Sequence, residues 1–304
     1  PILVIPGVEI TRELPTGHIN AIFVEDANPL VQVDAGADDA AGMAAGLDAL
    51  PDWGSEREVI EYYVRTGLWA ADAAVSAANA QGAFLFWNHP SWSEQAPDGK
   101  PPVSPQHQRW FLEKLLHGIE VVNGVSYSPE SFQLALDNDL ALIGTSDVHD
   151  LIDWDYPPAL GGHRPVTLVF AASTQMAAVR AALFAKRTAV WFQDTLLGRQ
   201  SELAPLVKAS IVVTSAHYLP ETTLVQVRLE NRSSVPFQLK NLSDFGDQNN
   251  PGSVTLPALG ALTLELATGV RLVEISWPVR VLNAYTTPNT QLVITLSSAV
   301  TDAE

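Results

Sequence analysis

Between residues 83 and 192, short apolar runs alternate with amphipathic segments, and this alternation narrows the folds open to the chain. Strand-like runs occupy residues 83–87, 119–122, 140–143, 166–170 and 188–192. The helical period returns between them over 106–116, 129–138 and 174–186. Repeated βα units predict an α/β domain with a parallel sheet. In such folds function collects where the strands end. Residues with useful chemistry stand at three of those ends: Asn88 with His89, Asn123, and Asp147 with His149.

The last pair is the most suggestive. Gly144 ends an apolar run, and Asp147-Val148-His149 follows it. In extended chain, positions i and i+2 project the same way, so a carboxylate and an imidazole would meet beyond the strand. That mixture suits a borderline divalent cation such as Zn, Mn or Fe(II). Upstream, residues 2–5, 8–10 and 19–24 read as strands, with Glu9 and His18 beside the turn at residues 15–17. Residues 25–55 read as an acidic surface excursion with a helix over 37–50. Ser55 and Glu58 form a capping-box pattern opening a helix that runs to Gln81.

Beyond Pro205 the pattern changes. Residues 207–217, 222–230, 235–242, 260–267, 270–277 and 290–297 read as strands separated by Asn, Ser, Gly and Pro turns. No helix is evident there, and a small all-β sandwich over 206–304 is expected after an α/β domain over 1–205. At 47% hydrophobic and 17% charged, the 304-residue chain forms a core. A formal charge of −17 argues against nucleic-acid and anionic-membrane partners, which need clustered Lys and Arg. Without cysteine there is neither a disulfide nor a thiolate site. Such a composition is compatible with any compartment, export or a periplasm included.

Other residues carry smaller signals. Gly161-Gly162-His163-Arg164 is a Gly-rich loop whose Arg fork suits a phosphoryl group. Trp92 could wall a substrate pocket and Trp87 alternates with core residues. A helix-end dipole accounts for His117, and His107 and His217 read as structural.

Five ordered segments resemble the polymerase-and-histidinol-phosphatase (PHP) superfamily of metal-dependent phosphoesterases. They are residues 6–11, Gly17-His18, Asn88-His89-Pro90, residues 118–124 and residues 144–149. The resemblance spans roughly residues 1–195 and implies a distorted (β/α)7-type barrel that holds two or three metal ions in the intact protein. By position it implies Glu9, His18, His89, Asp147 and His149 as metal ligands. On a small-molecule phosphate ester, His163 and Arg164 read as the catalytic groups because their loop lies next to the Asp147–His149 pair. Asn88 and Asn123, beside that site, would bind and orient substrate or orient the groups around the ligands, and Trp92 would wall the substrate pocket. The family's opening His-x-His motif has no counterpart after Pro1, so an N-terminally incomplete barrel is expected, completed by an upstream segment or a second chain. A non-catalytic binding module, or a hydrolase of carbamates or carboxylic esters, remains open at this point.

Overall fold

A computed structural model of the chain describes residues 2–12, 14–31, 70–247 and 252–302. The expected helix over 37–50 and the capping box at Ser55 lie outside the described residues. The chain divides into two compact units. The first comprises residues 1–143 and 169–187, and the second residues 144–168 and 188–304.

The first unit is built on a mixed sheet. β1 (Gly7–Ile10) and β2 (Ile19–Ile22) pair antiparallel, with Glu9 opposite Asn20. β3 (Phe84–Trp87) is antiparallel to β2 and parallel to β4 (Gly118–Asn123). β5 (Ser126–Tyr127) folds back on β4 through Gly124, whose φ of 56° glycine adopts without strain. β6 (Ala141–Thr145) also pairs with β4. All four residues of β3 are buried, as a strand covered on both faces requires. Phe23, Phe84, Phe86, Ala141, Ile143 and Leu183 form a core cluster. Burial of each large side chain stabilises the fold by about 1.5–3 kcal/mol.

The helices of this unit begin where the sequence supplies caps. Ser104 accepts from the His107 amide at the start of Pro105–Leu112, and Ser128 accepts from the Ser131 amide at the start of Pro129–Asp137. Each helix places Pro in its first turn, where the missing N–H costs nothing. Ala71–Ala80 buries Ala74, Val75 and Ala78, and Met176–Phe184 buries Ala182 and Leu183.

The second unit departs from the expected parallel sheet. β7 (Val166–Val169), β8 (Thr188–Phe192) and β9 (Thr195–Gly198) do not extend the first sheet. They join the C-terminal strands, with β8 and β9 as an antiparallel hairpin. The helix Gln200–Ser210 follows, so residues 207–210, expected as strand, are helical. Pro205 sits inside that helix.

β10 (Ile211–Tyr218), β11 (Leu224–Asn231), β12 (Phe237–Asn241), β13 (Gly246–Asp247), β14 (Val254–Leu256) and β15 (Ala261–Ala267) are then divided between two sheets. β16 (Glu274–Thr287), β17 (Thr290–Ala299) and β18 (Thr301–Asp302) complete them. One sheet runs β13-β15-β11-β10-β18. The other runs β14-β12-β16-β9-β8-β7, with β17 also on β16. Leu229, Leu264 and Leu266 of the first meet Leu239, Trp277 and Val279 of the second around a small hollow. This is the expected sandwich, with β16 and β17 longer than read from the sequence. No helix among the described residues is long and apolar enough to cross a membrane.

Candidate metal centre

Strand register brings three candidate ligands together. Ile19 lies opposite Trp87, so His18, just before β2, and Asn88 and His89, just after β3, reach the same end of the sheet. The Asn88 amide donates to the His18 carbonyl at 2.9 Å. Glu9 on β1 points there too. Its Oε1 lies 3.2 Å from His18 Nδ1 and 3.8 Å from His89 Nε2, and the imidazole centroids are 4.7 Å apart. One ligand atom from each of Glu9, His18 and His89 falls within 4.8 Å of the others.

The surroundings hold these side chains in place. Asn88 Nδ2 donates to Glu9 Oε1 at 2.7 Å, and Thr11 Oγ1 donates to Oε2 at 3.0 Å. The Glu9 carboxyl is held down at about 2, chiefly by the His18 hydrogen bond; burial opposes this, and Asn88, the charge of His18 and Thr11 lower it further. His89 has φ 25°, a rare conformation for a non-glycine residue. Its amide is anchored by Glu120, which accepts at 2.7 Å. Glu120 is 1% exposed and also accepts from Asn123 Nδ2 at 2.9 Å. Trp92 lies against both imidazoles, at 6.2 Å from His18 and 5.2 Å from His89.

The turn carrying His18 is clamped by the helix Pro105–Leu112. His107 is fully buried, stacks on Trp87 at 3.9 Å, and donates from Nε2 to the Thr16 carbonyl at 2.8 Å. Gln106 Oε1 accepts from the Thr16 hydroxyl at 2.8 Å. Burial pushes His107 down to about 4, so its ring is neutral, with Nδ1 facing Ser104. Gly17, at φ 69°, passes close to the Trp87 indole, where a Cβ would crowd the ring nitrogen at 3.0 Å.

Asp147 and His149 belong to the second unit. Asp147 has φ 49°, so the extended geometry expected of residues 147–149 is absent. Even so, His149 Nε2 lies 3.7 Å from Asp147 Oδ1, with the His149 side chain 88% exposed. His163 stacks on Trp191 at 4.2 Å, and its nitrogens face the carbonyls of Arg164 and Gln193. Arg164 is exposed and lines a hollow of 310 Å³ with Thr145, Ser146 and Thr167.

Asn88 and Asn123 each donate a side-chain N–H to a carboxylate, the kind of contact that orients a ligand. One expectation needs correction, and one residue was missed. The helix before His117 ends at Leu112, and Nδ1 of His117 accepts from the Leu85 amide. Burial lowers its pKa to about 4, so a charge–dipole account fails. Glu120 escaped notice, although an acid in the apolar run Ile119–Val122 needs buried partners and so signals a site.

A carboxylate and two imidazoles, with the carboxylate ionised and its oxygens oriented by Asn88 and Thr11, fit a divalent cation in chemistry and spacing. Glu9, His18 and His89 would hold it.

Comparison with known proteins agrees with both halves of this description. Residues 211–297 match a family model described as an Ig-like domain. Among solved structures, the chain is similar to a two-domain protein containing a predicted PHP-like metal-dependent phosphoesterase from Bacteroides vulgatus ATCC 8482. The identity is 31% and the TM-score 0.78, covering 98% of this chain and 75% of that one. No curated protein matches. At this identity and coverage, the chain belongs to the PHP-like family, as a two-domain member with an Ig-like domain in its C-terminal part.

Proposed function

We propose that the chain is a metal-dependent phosphoesterase acting on phosphodiesters of small molecules. The observation that carries this reading is the convergence of Glu9, His18 and His89 within 4.8 Å at one sheet end, with Glu9 held ionised. The kinship with a PHP-like protein supports the same chemistry. Zn, Mn or Fe(II) suits this mixed N/O set. When bound, such an ion supplies an acidified water as nucleophile and charge to stabilise the phosphoryl oxygens.

The chain's own residues supply orientation. Asn88 and Thr11 fix the Glu9 oxygens, and Glu120 fixes the backbone that presents His89. Trp92 packs edge-on against His89 and stands beside His18, flanking both ligands. The resemblance assigns ligand roles to Asp147 and His149 as well, and the Arg fork of the Gly-rich loop suits phosphoryl contact by Arg164 beside His163. Their own variants test those assignments.

Metal content and hydrolysis of an aryl phosphodiester with added Mn or Zn should be measured for the native chain, Glu9→Gln and His18→Ala/His89→Ala. Bound metal and turnover should both fall to background in the variants. Unchanged metal content with unchanged turnover would sink the assignment.

A further inference from the structure

Within the second unit, His163 and Arg164 are neighbours in the chain but face different surroundings. The loop that carries them is tied down on both sides. Gly161 takes φ 79°, and the Gly162 amide donates to the Pro157 carbonyl at 3.1 Å. After Arg164, Pro165 is buried and leads into β7. His163 makes the remaining ties. Its Nδ1 lies 2.9 Å from the Arg164 carbonyl, and its Nε2 lies 3.1 Å from the carbonyl of Gln193. The imidazole packs on Trp191 at 4.2 Å, and Trp191 Nε1 donates to the same Gln193 carbonyl at 2.6 Å. Trp191 and Gln193 belong to the β8–β9 hairpin and its turn, so His163 fastens the Arg164 loop to that hairpin.

Both ring nitrogens are thus turned to backbone. Carbonyl oxygens accept and never donate, so the ring can act on them only through its N–H groups. Arg164 lines the hollow of 310 Å³ together with Thr145 and Ser146, and His163 is not among the residues lining it. The Thr167 hydroxyl at its wall is spent on Gly144. Among the described residues no carboxylate pairs with the Arg164 guanidinium, in a chain that carries 34 acids to 17 Lys and Arg. A guanidinium fork held in this way suits an oxyanion.

We propose that His163 is a positioning residue for Arg164. It fixes the loop so that the guanidinium faces the hollow and binds a phosphoryl group there, and it exchanges no proton with the substrate. The proposal rests on the phosphoesterase reading for the identity of the anion. The hollow equals about ten waters at roughly 30 Å³ each, which is room for a phosphoryl group and part of its ester.

Inorganic phosphate, titrated calorimetrically into the metal-free full chain, reads this site without turnover. The native chain should bind it, and Arg164→Ala should weaken binding about tenfold or more. His163→Phe keeps a ring for Trp191 but no N–H, and should lose nearly as much. His163→Gln keeps an N–H for the Gln193 carbonyl and should recover most of the native affinity. Arg164→Ala/His163→Phe should bind no more weakly than Arg164→Ala, because a positioning residue acts only through the group it positions. Should His163→Phe fail to fold, His163→Asn, too short to reach Gln193, takes its place. In the metal-loaded chain, His163→Gln should keep the native pH profile for an aryl phosphodiester. Loss of a general acid or base would remove one limb and cut kcat about 10²–10⁴-fold. No phosphate binding by the native chain, native affinity in His163→Phe, additive losses in the double variant, or a lost pH limb overturns the proposal. The expected binding pattern in a metal-loaded chain that cleaves no phosphodiester supports the role of His163 and overturns the phosphoesterase reading alone.

Discussion

Both oxygens of Glu9 have partners. Oε1 faces His18, His89 and the Asn88 amide, and Oε2 takes the Thr11 hydroxyl. A metal ligand needs this kind of support, because an unrestrained carboxylate rotates away from the geometry that binds. Asn88→Ala should therefore weaken Zn or Mn binding by about 10–100-fold while leaving the fold intact. Calorimetric titration measures this, and an unchanged affinity argues that Asn88 is mere packing. Glu9, His18 and His89 were legible in the sequence because each adjoins a strand end. The partners of Asn88 and the part played by Glu120 were not. Which carboxylate an amide reaches depends on the register of β1 against β2 and of β3 against β4, and that pairing is non-local.

At the scale of elements, the helix Pro105–Leu112 has a second task beyond covering the sheet. Its first turn, through Gln106 and His107, fixes the turn that presents His18. His107 and His117 are both lowered to about 4 by burial. Unfolded, each binds a proton near pH 6.5, so stability is full above that value. It falls as pH drops from 6.5 towards 4, where the unfolded chain holds protons that the native state refuses. Each residue contributes on the order of 1–3 kcal/mol to this loss. Urea midpoints measured from pH 7.5 to 4.5 should show the decline, and His107→Gln should flatten it.

Gly144 marks another element-level constraint. Thr167 Oγ1 bonds both its amide and its carbonyl, and a Cβ would collide with Val190 Cγ1. Gly144→Ala should cost about 1–3 kcal/mol of stability, partly restored by Val190→Ala. Thermal melts of the single and double variants measure both effects.

At the scale of the whole molecule, the second sheet of the β domain recruits β7, β8 and β9 from before Pro205. Leu196 and Leu197 of β9 pair with Ala284 and Tyr285 of β16, in parallel. The helix Gln200–Ser210 buries Leu203 and Val207. A fragment of residues 188–304 should therefore unfold cooperatively, whereas 206–304, stripped of that hairpin and helix, should melt broadly or aggregate. Circular dichroism of the two fragments distinguishes these outcomes.

The sequence by itself determined the local features: βα alternation from residue 83, a change to strands after the Pro205 region, and acids and imidazoles at strand ends. These depend on periodicity and turn chemistry, which act over a few residues. The helix Gln200–Ser210 and the long strand β16 each carry a proline through, Pro205 and Pro278, against the local preference of that residue. Tertiary structure alone decided which sheet each strand joins, and that Glu120 is buried beneath His89. Strand pairing and the partners of a buried charge are set by contacts distant in sequence.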